Sequence, residues 1–483
     1  MSAPPEARPT TDPAAPPPQA PPRRRRRLWW LLPLAPVAPV VAAWVILYAS
    51  GDARLKRALD ETDRLDPHWH LADVLAEREP VPDEENGALV SIAARKKMPV
   101  QWPVWDMPPS IGGESEGPLA AALQALKPNQ TLSDEELCEV SAELDRAADA
   151  LEEARKLAGM PRGRFNITYS KDFISTLLPN IQDARGVAYV LQYDAMFRAM
   201  MGDFDTALRD CLALVNCARS VGDEPMLIPQ LVRMAIRAIA VGQAERALAQ
   251  GEPGAEAMAA LQRAFEREAE EPLIAWALRG ERAGMDQFMQ SLQDGHLSIK
   301  QMQGMLAGGP NSRGHTGEEL LLYLPGTKVN ARATLLERMN RMIEISKLPP
   351  EEQVEPLKKE QATLAKEPLL VREIMPAVEK VSEAERRTRG LLRCAAAGLA
   401  AERYRQKHGR WPETLDDLKG EFLDAVPRDP YDNRPLRYRR DDDGAVIWCL
   451  GKDRTDDGGD RAKLNTYKDG TDVGFRLWDV GKR

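Results

Sequence analysis

The sequence predicts a mainly α-helical protein with a single transmembrane helix, a helical hairpin or bundle region, and a small α+β module at its C-terminus. Three patterns predict this: an uncharged run near the N-terminus, helical periodicity through the middle, and a short hairpin pattern near the C-terminus. The composition agrees, because 43% hydrophobic and 29% charged residues are ordinary for a globular protein. At 483 residues, the chain is long enough for more than one hydrophobic core.

A proline-rich segment precedes the uncharged run. Residues 1–27 lack apolar periodicity and end in an arginine cluster at residues 23–27, which predicts a disordered cytoplasmic tail. Residues 28–50 carry no charge, and as a helix they would extend about 34 Å, enough for a hydrocarbon core of about 30 Å. A cleavable signal peptide also places basic residues before an apolar segment, but that segment is shorter. The sequence therefore favours an uncleaved anchor.

Charge sets the predicted orientation of this anchor. The arginine cluster should stay in the cytoplasm, so we expect an inner (cytoplasmic) membrane protein whose bulk lies outside the cytoplasm. The whole chain carries a net charge of −8 although its N-terminal tail is basic, which argues against nucleic acid as a partner. Its five cysteines are too scattered for a disulfide framework, and they show no zinc spacing.

The segment after the anchor divides into two regions. Residues 51–130 alternate short helical stretches with prolines and glycines, which predicts a loop-rich connector. Residues 131–375 are predicted to form the helical region. Ser133 and Glu136 form a capping box, so a helix should begin there and should end near Gly159.

A helical hairpin is predicted within residues 181–269, where apolar residues recur at helical spacing around a turn at Gly202-Asp203. GDFDTAL at Gly202 is similar to GQAERAL at Gly242, so a second turn is predicted there. The pair resembles tetratricopeptide hairpins, although an Ala-rich bundle would show the same spacing. Glycines within residues 296–330 predict a loop, and a helix should resume over residues 331–347.

Four short motifs follow in a fixed order near the C-terminus. They are Tyr404 at a helix end, Gly-Arg-Trp-Pro at residues 409–412, Pro-Arg-Asp-Pro at residues 427–430, and Leu-Gly-Lys-Asp at residues 450–453. This order resembles the C-terminal half of the major pseudopilins of type II secretion systems. The resemblance implies an α+β module over residues 376–483 and suggests a link to secretion. The apolar run lies far upstream and contains prolines, so the resemblance implies a shared fold and not a pilus subunit.

The residues of this module support a matching secondary-structure prediction. Residues 391–407 should form an Ala-rich helix, and residues 415–422 should form a second, short helix. Residues 436–440 and 445–450 should then pair as a hairpin around Asp443-Gly444.

An acidic, glycine-rich loop at residues 451–460 of this module is a candidate calcium site. Its carboxylates repel one another, and a hard cation with about six to eight oxygen ligands relieves such repulsion. This loop resembles the pseudopilin loop that binds calcium. The spacing differs from that of an EF-hand, and a solvated turn whose acids offset nearby arginines is the alternative. The candidate ligands are Asp453, Asp456, Asp457 and Asp460.

A second candidate is His68-Trp69-His70, because two imidazoles on one side of an extended segment can begin a metal site. The sequence marks no third ligand. The alternative is that Trp69 packs in the interior while both histidines lie at the surface. No phosphate-binding glycine loop, nucleophile elbow or HExxH motif occurs, so no catalytic or cofactor-binding residue is predicted.

These patterns lead to two functional hypotheses. The first is a membrane-anchored, non-enzymatic scaffold of the bacterial cell envelope that binds protein partners, since stacked helices offer extended concave surfaces. The second is an envelope hydrolase whose site combines scattered carboxylates with His68 and His70. Calcium is the cofactor that the sequence suggests.

Overall fold

The computed structural model describes residues 37–106, 118–306, 326–460 and 471–483, and most of these residues are helical. In chain order, the α-helices are α1 (Val37–Leu65), α2 (Leu71–Ala76), α3 (Gly87–Lys97), α4 (Pro118–Ala125), α5 (Asp134–Arg146), α6 (Ala148–Arg155), α7 (Pro179–Met200), α8 (Phe204–Ser220), α9 (Leu227–Gln250), α10 (Ala255–Ala269), α11 (Leu273–Gln293), α12 (Ile299–Leu306), α13 (Thr327–Ser346), α14 (Val354–Leu364), α15 (Leu369–Ile374) and α16 (Val378–His408).

A small antiparallel sheet follows the last helix. Its strands are β1 (Arg437–Asp441), β2 (Gly444–Cys449) and β3 (Val473–Trp478), and β2 is the central strand. Ile447 of β2 lies opposite Tyr438 of β1 on one side and Phe475 of β3 on the other. The predicted mainly helical fold with a small sheet is therefore confirmed.

The predicted transmembrane helix over residues 28–50 is wrong. Among the described residues, no helix is both long enough and apolar enough to cross a membrane. Helix α1 continues past residue 50 into charged sequence, and Arg54 forms a two-bond ion pair with Glu337 of α13 at 2.9 and 2.7 Å. This charged half therefore packs on the protein. The correction also applies to the predictions that depended on this helix, which are the single-pass topology, the inner-membrane location and the integral membrane contact. Residues 1–36 lie outside the described residues.

Local signals placed several helices correctly. The Ser133 hydroxyl accepts the Glu136 backbone N–H at 3.3 Å, and the Glu136 carboxylate accepts the Ser133 N–H at 2.8 Å, so the capping box begins α5. The hairpin around residues 202–203 forms as α7 and α8. The second turn is wrong, because Gly242 lies inside α9. Most of the predicted loop at residues 296–330 lies outside the described residues, but α12 occupies part of it, and α13 begins at Thr327, four residues before the predicted start.

The C-terminal elements differ from the prediction mainly in length. Helix α16 has 31 residues and begins well before residue 391. The predicted helix at residues 415–422 is reduced to a short 3₁₀ helix, Leu415–Leu418. The predicted hairpin is confirmed as β1 and β2, which pair up to the turn at residues 442–443.

One hydrophobic core joins the helical region to the C-terminal segment. It includes the fully buried Leu248 of α9, Leu399 of α16 and Phe475 of β3. Helix α9 also covers the outer edge of β3, because the Arg476 backbone N–H donates to Glu245 Oε1 at 3.0 Å. A second core lies between α11, α13 and α15. The C-terminal segment is thus fixed against α9 and α10.

Candidate functional site

A groove lies where α10, α16 and the loop at residues 420–428 meet, and its cavity volume is about 700 Å³. One wall is α10, the second is α16, and the third is the loop that follows residue 419. We call this cavity the C-terminal groove. Its polar and aromatic lining residues are Gln262, Arg263, Glu266, Glu270, Arg393, Arg403, Glu421, Phe422, Asp424 and Arg428.

A buried amide connects the three walls. Gln262 of α10 donates through Nε2 to the Phe422 carbonyl oxygen at 2.7 Å and to Glu266 Oε1 at 2.8 Å. Its Oε1 accepts Arg403 Nη1 at 2.8 Å. Because Gln262 is only 4% exposed, these bonds are sheltered from competition by water. The amide therefore fixes the position of the loop and of Arg403 relative to α10.

Arg403 lies in the groove near both an aromatic ring and a second positive charge. Its guanidinium lies over the Phe422 ring at 5.3 Å from the centroid, in cation–π geometry. Burial, and then the positive charge of Arg263, lower the pKa of Arg403, while Glu266 and Glu421 act in the opposite direction. This part of the groove therefore places two positive charges close together.

The other end of the groove is closed by Arg393. Its Nη1 donates to the Arg428 carbonyl oxygen at 2.8 Å, and its Nη2 pairs with Glu270 at 2.7 Å. The described lining contains guanidinium, carboxylate, amide and aromatic groups but no serine, cysteine or histidine. Groups of these kinds suit recognition of a ligand that carries both charges and an apolar surface.

The acidic loop does not converge on one point. Asp456 accepts Trp448 Nε1 at 2.9 Å and pairs with Arg437 Nε at 3.0 Å, whereas Asp453 accepts the Thr455 N–H at 3.0 Å. Burial raises the pKa of Asp456, but these bonds and the arginine outweigh it and lower the pKa. Among the described residues, no group of three or more acidic, histidine or cysteine side chains could hold a metal ion. Asp457 and Asp460 also interact with neighbours.

The structural carboxylate of this region is Asp429, which the prediction used only as part of a motif. It is 1% exposed, accepts the Tyr431 and Leu450 N–H groups at 2.7 and 2.9 Å, and pairs with Arg437. Burial raises the pKa of Asp429 in spite of these bonds. The Pro-Arg-Asp-Pro motif therefore ties its loop to the end of β2. The sequence signal was an Asp between two prolines, which restrict the backbone around it.

The His68-Trp69-His70 segment follows the packing interpretation. Trp69 is 1% exposed, its Nε1 donates to Asp63 Oδ1 at 2.7 Å, and Arg282 lies over its ring. His68 and His70 are both exposed. No metal-binding group forms around them within the part of the chain that the structure describes.

Two buried charge clusters were missed by sequence reasoning. Glu268 of α10 is fully buried and pairs with Arg219 at 2.7 Å, with Arg233 at 2.8 Å and with Arg237. The second cluster, Asp194 with Asp210, lies between α7 and α8. In each case a charged residue occupies a core position of its helix. A charge at a position where helical spacing predicts an apolar residue is the signal that the sequence offered.

Comparison with protein-family models, with curated proteins and with solved structures gives no match to this chain. The chemistry of the C-terminal groove is therefore the basis for assigning a function.

Proposed function

We propose that this protein is a non-enzymatic scaffold that binds a protein partner through the C-terminal groove. The observation that carries the proposal is the groove itself: a cavity of about 700 Å³ with charges of both signs around the Phe422 ring. Ligand sites commonly have volumes of about 300–1,000 Å³ and a few precisely placed polar groups. A peptide segment that carries both acidic and basic side chains fits this lining.

The groove is held in place before a partner arrives. Gln262 links its walls, and the core that includes Leu399 and Phe475 lies behind them. A preorganised site loses less conformational entropy on binding, so more of the contact energy appears as affinity. This rigidity supports a docking role. The suggested link to secretion stays a prediction that rests on the pseudopilin resemblance.

The test uses two matched charge reversals on α10. Arg263 lines the groove, whereas Arg267 lies one turn further along α10 outside the groove, and both side chains are exposed. The wild-type chain, Arg263→Glu and Arg267→Glu are each used to isolate crosslinked partners from the source cells, and affinity for the purified partner is then measured. We expect Arg263→Glu to weaken binding at least about tenfold, about 1.4 kcal/mol, and Arg267→Glu to bind as the wild type does.

Equal affinity of Arg263→Glu and Arg267→Glu for the purified partner would contradict the proposal. Both variants change an exposed side chain, so both should retain the wild-type circular dichroism spectrum and melting temperature.

Calcium binding by the acidic loop is a second proposal, which the pseudopilin resemblance supports. The cation would have to compete with Arg437, which already neutralises Asp456 at 3.0 Å. We expect millimolar calcium to raise the melting temperature of the full chain, and Asp453→Ala to remove that rise. Equal melting curves in calcium and in chelator would leave the loop as a structural turn.

A further inference from the structure

Two buried thiols meet at one backbone carbonyl in the C-terminal segment. Cys394 of α16 and Cys449 of β2 are both fully buried. The Cys394 thiol donates to the Val473 carbonyl oxygen at 3.7 Å, and the Cys449 thiol donates to the same oxygen at 3.5 Å. Residues far apart in sequence therefore place their sulfur atoms around a single acceptor.

The two side chains also lie beside each other. A Cβ atom added to Gly390, one turn before Cys394, would lie 2.6 Å from Cys449 Sγ, so this sulfur rests directly on the surface of α16. The Cys394 thiol is a neighbour of the Cys449 thiol, and both point to the Val473 carbonyl oxygen. Burial, and then this neighbouring thiol, raise the pKa of Cys449. The glycine thus permits the close approach that a bond between the two cysteines needs.

We propose that Cys394 and Cys449 form a disulfide bond between α16 and β2 when the chain encounters a small-molecule disulfide as oxidant. One thiolate attacks the oxidant and releases one small thiol, which leaves a mixed disulfide on the protein. The second cysteine then attacks this mixed disulfide, forms the protein S–S bond and releases the second small thiol. The protein loses two electrons and two protons, and the oxidant gains them.

The other three cysteines lie on other helices. Cys211 and Cys217 lie on α8 about 9 Å apart along the helix axis, which exceeds the reach of a disulfide. The Cys217 thiol instead donates to the Ala184 carbonyl oxygen at 3.3 Å. Cys138 is exposed on α5. The structure therefore favours one pairing over the alternatives.

Burial determines when the bond can form. Thiolates carry out the exchange, and a buried thiol with a raised pKa supplies few of them. Oxidation should accordingly accompany folding or local opening of the C-terminal segment. Once formed, the bond would be shielded from reductants, and it would fix the turn of α16 that carries Arg393 of the C-terminal groove.

The experiment refolds the full chain, with Cys138→Ser to prevent external adducts, in a mixture of oxidised and reduced glutathione. Trypsin releases Cys394 in residues 394–403 and Cys449 in residues 441–452, whereas Cys211 and Cys217 share residues 210–219. We expect the first two peptides to be covalently linked and to separate after reduction. Residues 210–219 should keep both thiols free and serve as an internal control.

Thermal unfolding provides the second readout. The bond closes the long loop from Cys394 to Cys449, so the oxidised chain should melt several degrees above the reduced chain. Cys394→Ala and, independently, Cys449→Ala should each abolish this difference. A correctly folded oxidised sample in which both cysteines remain alkylatable, or a melting shift that persists in both variants, would overturn the proposal.

Discussion

Replacing Asp210 by Asn should reduce the change of the free energy of unfolding with pH around neutral pH. Asp210 of α8 is fully buried beside Asp194 of α7, which is 1% exposed. Arg155 lies 3.5 Å from Asp210 Oδ1 and also pairs with Asp194. Burial, and then the hydrogen bond and the negative charge of Asp194, raise the pKa of Asp210 to about 9, although Arg155 and Arg198 oppose the shift. Asp210 is therefore expected to keep its proton at neutral pH.

The sign of the effect follows from the proton count. An unfolded aspartate loses its proton near its ordinary pKa of 3.8, whereas the folded chain retains it to a much higher pH. Across this interval the folded state binds one more proton than the unfolded state, so its stability falls as pH rises. The slope is at most about 1.4 kcal/mol per pH unit, or about 3 kcal/mol between about pH 6 and about pH 8.

The amide that Asp210→Asn introduces would keep a neutral donor of nearly the same shape, so this variant should not lose stability over this pH interval through this site. The measurement is the free energy of unfolding in urea at several pH values for the wild type, Asp210→Asn and a control. Asp145→Asn is the control, because Asp145 is an exposed carboxylate on α5. Subtracting the two pH profiles removes contributions from the other acids that both chains share.

The decisive quantity is the difference between the wild-type and Asp210→Asn profiles. It should change with pH in favour of the variant as pH rises, and the control difference should stay flat. Parallel profiles for wild type and Asp210→Asn would refute the reasoning, because they would mean that Asp210 is ionised in both states across this interval.

Three further tests probe other parts of the structure by urea denaturation. Glu268→Gln should cost about 3–5 kcal/mol because it leaves buried arginines uncompensated, and Glu270→Gln on the exposed side should cost little; equal losses would contradict this. Gly398→Ala places a Cβ atom 2.5 Å from a carbon of the Phe475 ring on β3 and should cost about 1–3 kcal/mol. Gly242→Ala, in contrast, places a Cβ atom where no other atom lies within 4 Å, and it should stabilise the protein by about 0.5–1 kcal/mol. A stability change of the same sign at both sites would refute the packing argument. Ser133→Ala should cost about 1 kcal/mol through its lost cap, and an unchanged midpoint would show that the cap is dispensable.

Low pH should reduce the contribution of the cluster around Glu268 to stability. Burial raises the pKa of this carboxyl, but the surrounding arginines outweigh burial and lower it to about 2. Its contribution to stability is therefore present above the ordinary pKa of 4.5 and is lost as the pH falls towards 2. The wild type should lose stability over this interval, and Glu268→Gln should lose less, in urea titrations at acid pH.

Short-range patterns allowed the sequence to determine individual elements. The capping box at Ser133, the turn at Gly202 and the β1–β2 hairpin each depend on residues a few positions apart, so their signals survive without knowledge of the fold. The packing role of Trp69 was one of two interpretations that the sequence allowed. The turn at Gly242 failed because a glycine inside a helix tolerates helical geometry when neighbouring helices stabilise the whole element.

Long-range packing decided the remaining features. The uncharged run predicted a membrane helix, but no described helix is long and apolar enough to cross a membrane, and α1 instead carries Arg54, which pairs with α13. Which charges become buried, as at Asp210 and Glu268, depends on arginines and acids from other helices, and a burial cost of this size can be offset only by such partners. The sequence by itself determined where many helices and turns begin; tertiary structure alone decided which of their faces meet, because that choice depends on contacts between residues far apart in the sequence.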